Sequence, residues 1–156
     1  MSNNKSLLKT LNELKAQGSF PQRMLVRDAA VAATAEMEVH QLDRLSIELS
    51  MLRVTPEKPV SETLKGRAEI LANKVTGLME KLNAIEIDDS KGEAMLRSDT
   101  PAAQDAHRIY YELMLNKYGA TTLKRYQGST INAQRKEIPF VLTREALAKL
   151  ITDLAC

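Results

Sequence analysis

The stretch "LKGRAEILANKVTGLMEKLNAI", Leu64 to Ile85, sets Leu64, Ala68, Leu71, Val75, Leu78, Leu82 and Ile85 at alternating spacings of four and three residues. That spacing is the apolar seam of a helix packed lengthwise on another. A matching seam lies upstream, in Val31, Ala35, Glu38, Leu42, Leu45, Leu49 and Leu52. Between the two stands "TPEKP", residues 55–59, whose two prolines cannot continue a helix. A chain folded there brings the seams into antiparallel register, from Leu52 opposite Leu64 to Val31 opposite Ile85. The spacing therefore predicts a helical hairpin of the coiled-coil type.

Working outward, three helices are expected, at about 5–17, 22–53 and 61–84. Gly18 stops the first, Pro21 opens the second, and Ser61 with Glu62 caps the third. The flanks of the hairpin support the pairing. Arg67 falls opposite Glu48, Lys74 opposite Gln41 and Lys81 opposite Thr34, so no like charges meet. On the other flank Val39 faces Met79 and Ser46 faces Ala72. That strip is apolar or small and needs a cover. Val39, Ala72 and Met79, with Leu7, Leu11 and Leu14 of the first helix, are the expected partner interface, most simply between two copies in a homodimer.

After Ile85 the pattern changes. "IEID", "DSKG" and "EAMLRS" form strand, turn and strand. Over 99–118 the Asp-Thr-Pro start and Gly119 favour a helix, although Ile109, Tyr111, Leu113 and Leu115 alternate as in a strand. "TTLKRYQ" and "EIPFVL" are expected strands, and Thr143 caps a last helix to Leu154. No internal repeat stands out beyond the paired seams. The expectation is a mainly α (α+β) protein: a helical domain over 1–85 and a small mixed α/β subdomain over 86–156.

The totals agree with a helical core. Hydrophobic residues make up 44% of the chain and aromatic residues 4%, with no Trp. Charge is uneven under a net +2: residues 1–27 carry +4, 28–105 carry −6 and 106–142 carry +4. Cys156 is the single cysteine, so no internal disulfide forms. No stretch approaches the ~20 apolar residues of a membrane span, and the N-terminus lacks the apolar run of a signal peptide. A cytoplasmic location is expected.

Motifs for catalysis are missing: two His (His40 and His107), one Cys, no phosphate loop, no nucleophile elbow and no paired-cysteine metal signature. The chain is not expected to be an enzyme or to hold a cofactor or metal. Glu36, His40 and Asp43 share a side of the second helix, which is taken as a solvated face. Glu38, inside the seam, is expected to bend out toward Lys74 or Lys81. The first helix, with Lys5, Lys9 and Lys15 beside leucines, is expected to pack on the hairpin rather than on a lipid surface. Cys156 is expected to be an exposed, unreactive thiol.

The segment 107–136 holds all four tyrosines among six Lys and Arg. Cations bind phosphates and aromatic rings stack on bases, so Lys124, Arg125, Tyr126, Arg135 and Lys136 are nucleic-acid candidates. Two functions follow. The first is a non-enzymatic protein–protein interaction or assembly module, such as an adaptor or chaperone. The alternative is a nucleic-acid-binding accessory protein.

Overall fold

In the computed structural model, which describes residues 3–16, 18–98, 107–129 and 134–156, the helical hairpin is absent. Strand accounts for 49% of the chain and helix for 22%, so the fold is an antiparallel sheet with three short helices rather than a coiled coil. The elements run α1 (Asn3–Asn12), β1 (Gln22–Asp28), β2 (Ala33–Leu42), β3 (Ser46–Pro56), α2 (Leu64–Lys74), β4 (Leu82–Asp88), β5 (Glu93–Ser98), β6 (His107–Asn116), β7 (Thr121–Ser129), β8 (Arg135–Ile138), β9 (Phe140–Thr143) and α3 (Arg144–Leu154). The expected long helix at 22–53 is three strands. The one expected at 61–84 stops at Lys74, is capped by Thr63 rather than Ser61, and gives way to β4. Residues 107–116 are strand, and 99–106 lie outside the described residues. No helix among the described residues is long and apolar enough to cross a membrane.

The physical reason lies in the turns. Asp28 accepts the Val31 N–H at 2.9 Å through Oδ1, and Ala32 turns the chain at φ 57°. Asp43 accepts the N–H groups of Leu45 and Ser46 at 2.8 and 2.7 Å, and the Ser46 hydroxyl at 3.0 Å. These carboxylates satisfy the backbone of tight turns without any Gly or Pro. Between them, β2 buries Ala33, Ala35, Met37 and Val39 at period two. In β3 the alternation breaks at a bulge, where Leu49 and Ser50 are both buried. That break gives the three-residue step from Leu49 to Leu52, both buried, whereas the seam's Glu38, Leu42 and Leu45 are not buried.

The sheet order is β1-β2-β3-β7-β6-β5-β4, with β8 on β7 and β9 on β3. All three helices contribute to one core on one face. Leu7, Leu11, Ala68, Leu71, Leu147, Leu150 and Leu154 meet Val26, Met37, Val39, Leu52, Leu96 and Leu113 there.

The chain also repeats itself at an offset of 60 residues. The β1–β2 turn closes on Asp28 opposite Ala33, and the β4–β5 turn on Asp88 opposite Glu93. Ala32 and Gly92 hold the same left-handed corner, at φ 57° and 70°. Asp88 accepts the Lys91 N–H as Asp28 accepts that of Val31. Glu57 N donates to Ala32 O at 2.9 Å, and Lys117 N to Gly92 O at 2.8 Å. The fold is thus two α-β-β-β units, with β7, β8, β9 and α3 added after the second.

Arg67 ties the second unit to the addition. It is 3% exposed; Nη1 donates to Gly119 O at 2.5 Å and Nη2 to Leu154 O at 2.9 Å, at the C-terminal end of α3. Burial lowers its basicity, but two carbonyls hold the charge in place. Arg67→Ala leaves both carbonyls without this donor and is expected to cost about 2–4 kcal/mol in urea unfolding. The turn aspartates give a pH signature. Hydrogen bonds, from Ser46 and Leu45 to Asp43 and from Ser90 and Lys91 to Asp88, hold both carboxyls below their ordinary 3.8. Their contribution to stability is complete above that value and is lost as pH falls through the lowered folded-state values. An Asp43→Asn/Asp88→Asn double variant is therefore expected to show a shallower acid unfolding curve by circular dichroism than the native chain.

Candidate functional site

Two places on this frame gather side chains beyond the needs of the core. The first is a cleft of about 800 Å³ between α1, the β2–β3 turn and the start of α3. Leu8, Leu14, Phe20, Leu42 and Leu45 give its apolar lining, and Lys15, Arg44, Arg144, Asp43 and Glu145 are its charged residues. Leu45 is 76% exposed. Arg144 shapes one wall. It is buried, Nη1 donates to Leu11 O at the end of α1, and Nε and Nη2 donate to Asp43 O at 3.2 and 2.7 Å. One guanidinium therefore fixes α1 against the β2–β3 turn. A shallower groove of about 460 Å³ shares Leu14 and Lys15 with the cleft and runs along Gln22–Leu25 of β1, an edge strand of the sheet.

The second place is the sheet face away from the helices. Glu112 on β6 is 5% exposed. It accepts from Arg97 Nη2 at 3.2 Å and from Arg135 at 2.7 and 3.4 Å. Arg135 also donates to the Tyr110 hydroxyl at 3.2 Å and stacks 3.8 Å from the centre of the Tyr126 ring, while Arg97 lies 4.8 Å from that of Tyr110. The two rings are 5.9 Å apart. Lys124, next on that face of β7, is 2.7 Å from Glu137 of β8. The Glu112 carboxylate holds the Arg135 charge well above its ordinary range, Glu137 does the same for Lys124, and burial raises the Tyr126 hydroxyl.

The candidate residues separate accordingly. Lys124, Tyr126 and Arg135 come together on the open face. Arg125 points to the opposite face, 3.1 Å from Glu80 and stacked on Tyr111 at 4.1 Å. Lys136 is exposed on β8. Of the expected partner interface, Val39, Leu7 and Leu11 are buried in the chain's own core. Ala72 and Leu14 are partly buried against it, and Met79 is 93% exposed in the loop before β4. The seam pairing of Val39 with Met79 does not exist, because Val39 is in a strand and pairs with Gln22 and Leu49. Glu38 does not reach Lys74 or Lys81; it accepts from the Ser50 hydroxyl at 2.9 Å and lies 3.7 Å from both His40 Nε2 and Arg23 Nη2. In that trio the serine proton goes to a carboxylate and the imidazole stands aside, so no relay activates the hydroxyl.

Sequence reasoning missed Phe20, Arg144, Arg97 and Glu112. Glu112 carried a signal, since it is one of only two acids in the basic segment 106–142. No protein-family model, curated protein or solved structure matches the chain.

The two carboxylates on the open face make a test of burial. Glu112→Gln removes the charge that orients two guanidiniums and is expected to cost about 1–3 kcal/mol by denaturant unfolding. Glu137→Gln, in an exposed pair, is expected to stay within about 0.5 kcal/mol.

Proposed function

We propose that the protein is a non-enzymatic interaction module that holds an apolar segment of a protein partner in the cleft beside α1. The observation that carries this reading is Leu45. It is 76% exposed and stands with Leu8, Leu14, Phe20 and Leu42 along one concavity. Isolated exposed leucines are ordinary, but five apolar side chains gathered in one cleft mark a binding surface. The charges around it favour an acidic partner segment. Lys15 and Arg44 of its lining, and Lys5 and Lys9 elsewhere on α1, are exposed and have no carboxylate within ion-pair distance among the described residues. Of the two acids in the lining, Asp43 is occupied by its own turn, which leaves Glu145 against Lys15 and Arg44. The groove along β1 extends the reading. Among the described residues β1 pairs only with β2, so a segment leaving the cleft in extended form meets backbone donors and acceptors.

The nucleic-acid alternative has less support from the geometry. Lys124, Arg125 and Arg135 each already face a carboxylate, and Arg135 covers the Tyr126 ring on which a base would stack. A strand-binding track needs a line of free cations and open rings.

The test starts with a photoreactive side chain at position 45, which captures the partner in the producing cell. Purified partner is then measured against native protein and Leu45→Glu. Binding is expected to weaken about tenfold or more with the unfolding midpoint unchanged, because Leu45 adds little to the core. Equal affinities for the two proteins would overturn the reading.

A further inference from the structure

The pairing of cations on the open face argues against a track but leaves a receptor for one anion. Arg97 and Arg135 both donate to Oε2 of Glu112, at 3.2 and 2.7 Å, so one edge of each guanidinium is fixed, Arg97 over the Tyr110 ring and Arg135 over the Tyr126 ring. Their side chains remain 36% and 40% exposed. Two guanidiniums share one carboxylate, which leaves one positive charge in surplus. Arg108 adds a second. It lies two residues before Tyr110 on β6, which places it on the same face, and it is exposed with no carboxylate within ion-pair distance among the described residues. Lys124 and Glu137 cancel each other.

A notch separates Arg108 from Arg135. Both flank Gly128, which is opposite Arg108 on β6 and opposite Arg135 on β8. The strand register is unbroken there, and Gly128 is not among the positive-φ glycines. A Cβ at Gly128 would meet Tyr110 Cε1 at 3.8 Å and Arg135 Cβ at 3.9 Å, which is ordinary contact. Neither backbone conformation nor crowding therefore demands glycine in this strand, where it weakens the sheet. Bare backbone in such a place suits the close approach of a ligand.

We propose that Arg97, Arg108 and Arg135 form a receptor for a single phosphate group, seated over Gly128 and the edge of Tyr110. The two surplus charges match a phosphate dianion, and forked guanidiniums suit its oxygens. The rings are covered by the arginines, so the group is recognised by its charge and shape rather than by stacking of an attached base. The chemistry is shared by inorganic phosphate and by a phosphate monoester on a small molecule. A phosphodiester strand, with one charge per phosphate, fits it less well.

The experiment is a ¹H–¹⁵N titration of the full chain at low salt with inorganic phosphate, with glycerol phosphate as the monoester and with an oligothymidylate lacking terminal phosphates. Saturable shifts of the Gly128 and Arg108 amides are expected with phosphate, with the monoester, or with both. Whichever binds identifies the source. Arg108→Gln, an exposed site with no ion pair among the described residues, is expected to weaken that binding about tenfold or more. Three results would overturn the proposal: no saturable shift with either phosphate, shifts that persist unchanged in Arg108→Gln, or shifts with the oligothymidylate alone.

Discussion

One edge of β3 has to serve two partners. Leu52, Arg53 and Val54 pair with β7, but Ser46–Leu49 pair with β9, because β7 leaves β3 after Leu123. Sheets twist, and two meanders joined along one strand diverge as they extend. Backbone groups along the opened wedge would be buried without partners, which the fold does not tolerate. Residues 135–143 fill the wedge. β8 pairs with β7, β9 pairs with β3, and Pro139, which has no N–H to leave unpaired, stands at the corner between them. Both candidate sites depend on this wedge. β9 ends at Thr143, whose hydroxyl accepts the Ala146 N–H and starts α3, so Arg144 arrives where it can hold α1 to the β2–β3 turn. β8 carries Arg135 across β7 to Glu112.

Where the sequence was legible, glycine or an oxygen-bearing cap marked the place. The turn at Ser90, Lys91 and Gly92, the strands on either side of it, β7, β9 and the Thr143-capped α3 all follow from such marks. The equivalent turn sixty residues earlier has Ala32 where the second unit has Gly92, and its signal is only Asp28. An Asp in "RDAAVAAT" is as compatible with a helix as with a turn, and alanines weigh toward helix. Tertiary pairing of β2 with both neighbours overrode that propensity. The alternation of Ala33, Ala35, Met37 and Val39 was present in the sequence. It competes with a heptad spacing that shares only Ala35 with it and otherwise runs through Glu38, Leu42 and Leu45, none of them buried.

The sites were legible in composition but not in geometry. Gathering of Tyr with Lys and Arg in 107–136 did point to one surface, yet a strand sends Lys124 and Tyr126 to one face and Arg125 to the other. Which cations remain free depends on distant carboxylates, Glu80 for Arg125 and Glu137 for Lys124, that no local pattern connects. The leucines of the cleft are visible in the sequence too, but Leu42 and Leu45 also fit the seam spacing. Only the Asp43 turn, which lifts Leu45 out of the sheet, makes them surface.

The two α-β-β-β units argue that the cleft is more than a by-product of the architecture. Phe20 lines the cleft in the first unit, and the residue sixty positions on is Glu80. Around Glu80 the described residues of the second unit are polar. Ser98 donates to Glu80 at 2.7 Å and accepts the Tyr111 N–H at 2.8 Å, Arg125 pairs with Glu80, and its guanidinium covers the Tyr111 ring. The same framework therefore accommodates hydrogen-bonded charges at this position. The first unit instead leaves leucines and a phenylalanine facing solvent, at a cost in hydrophobic free energy that contact with a partner would recover.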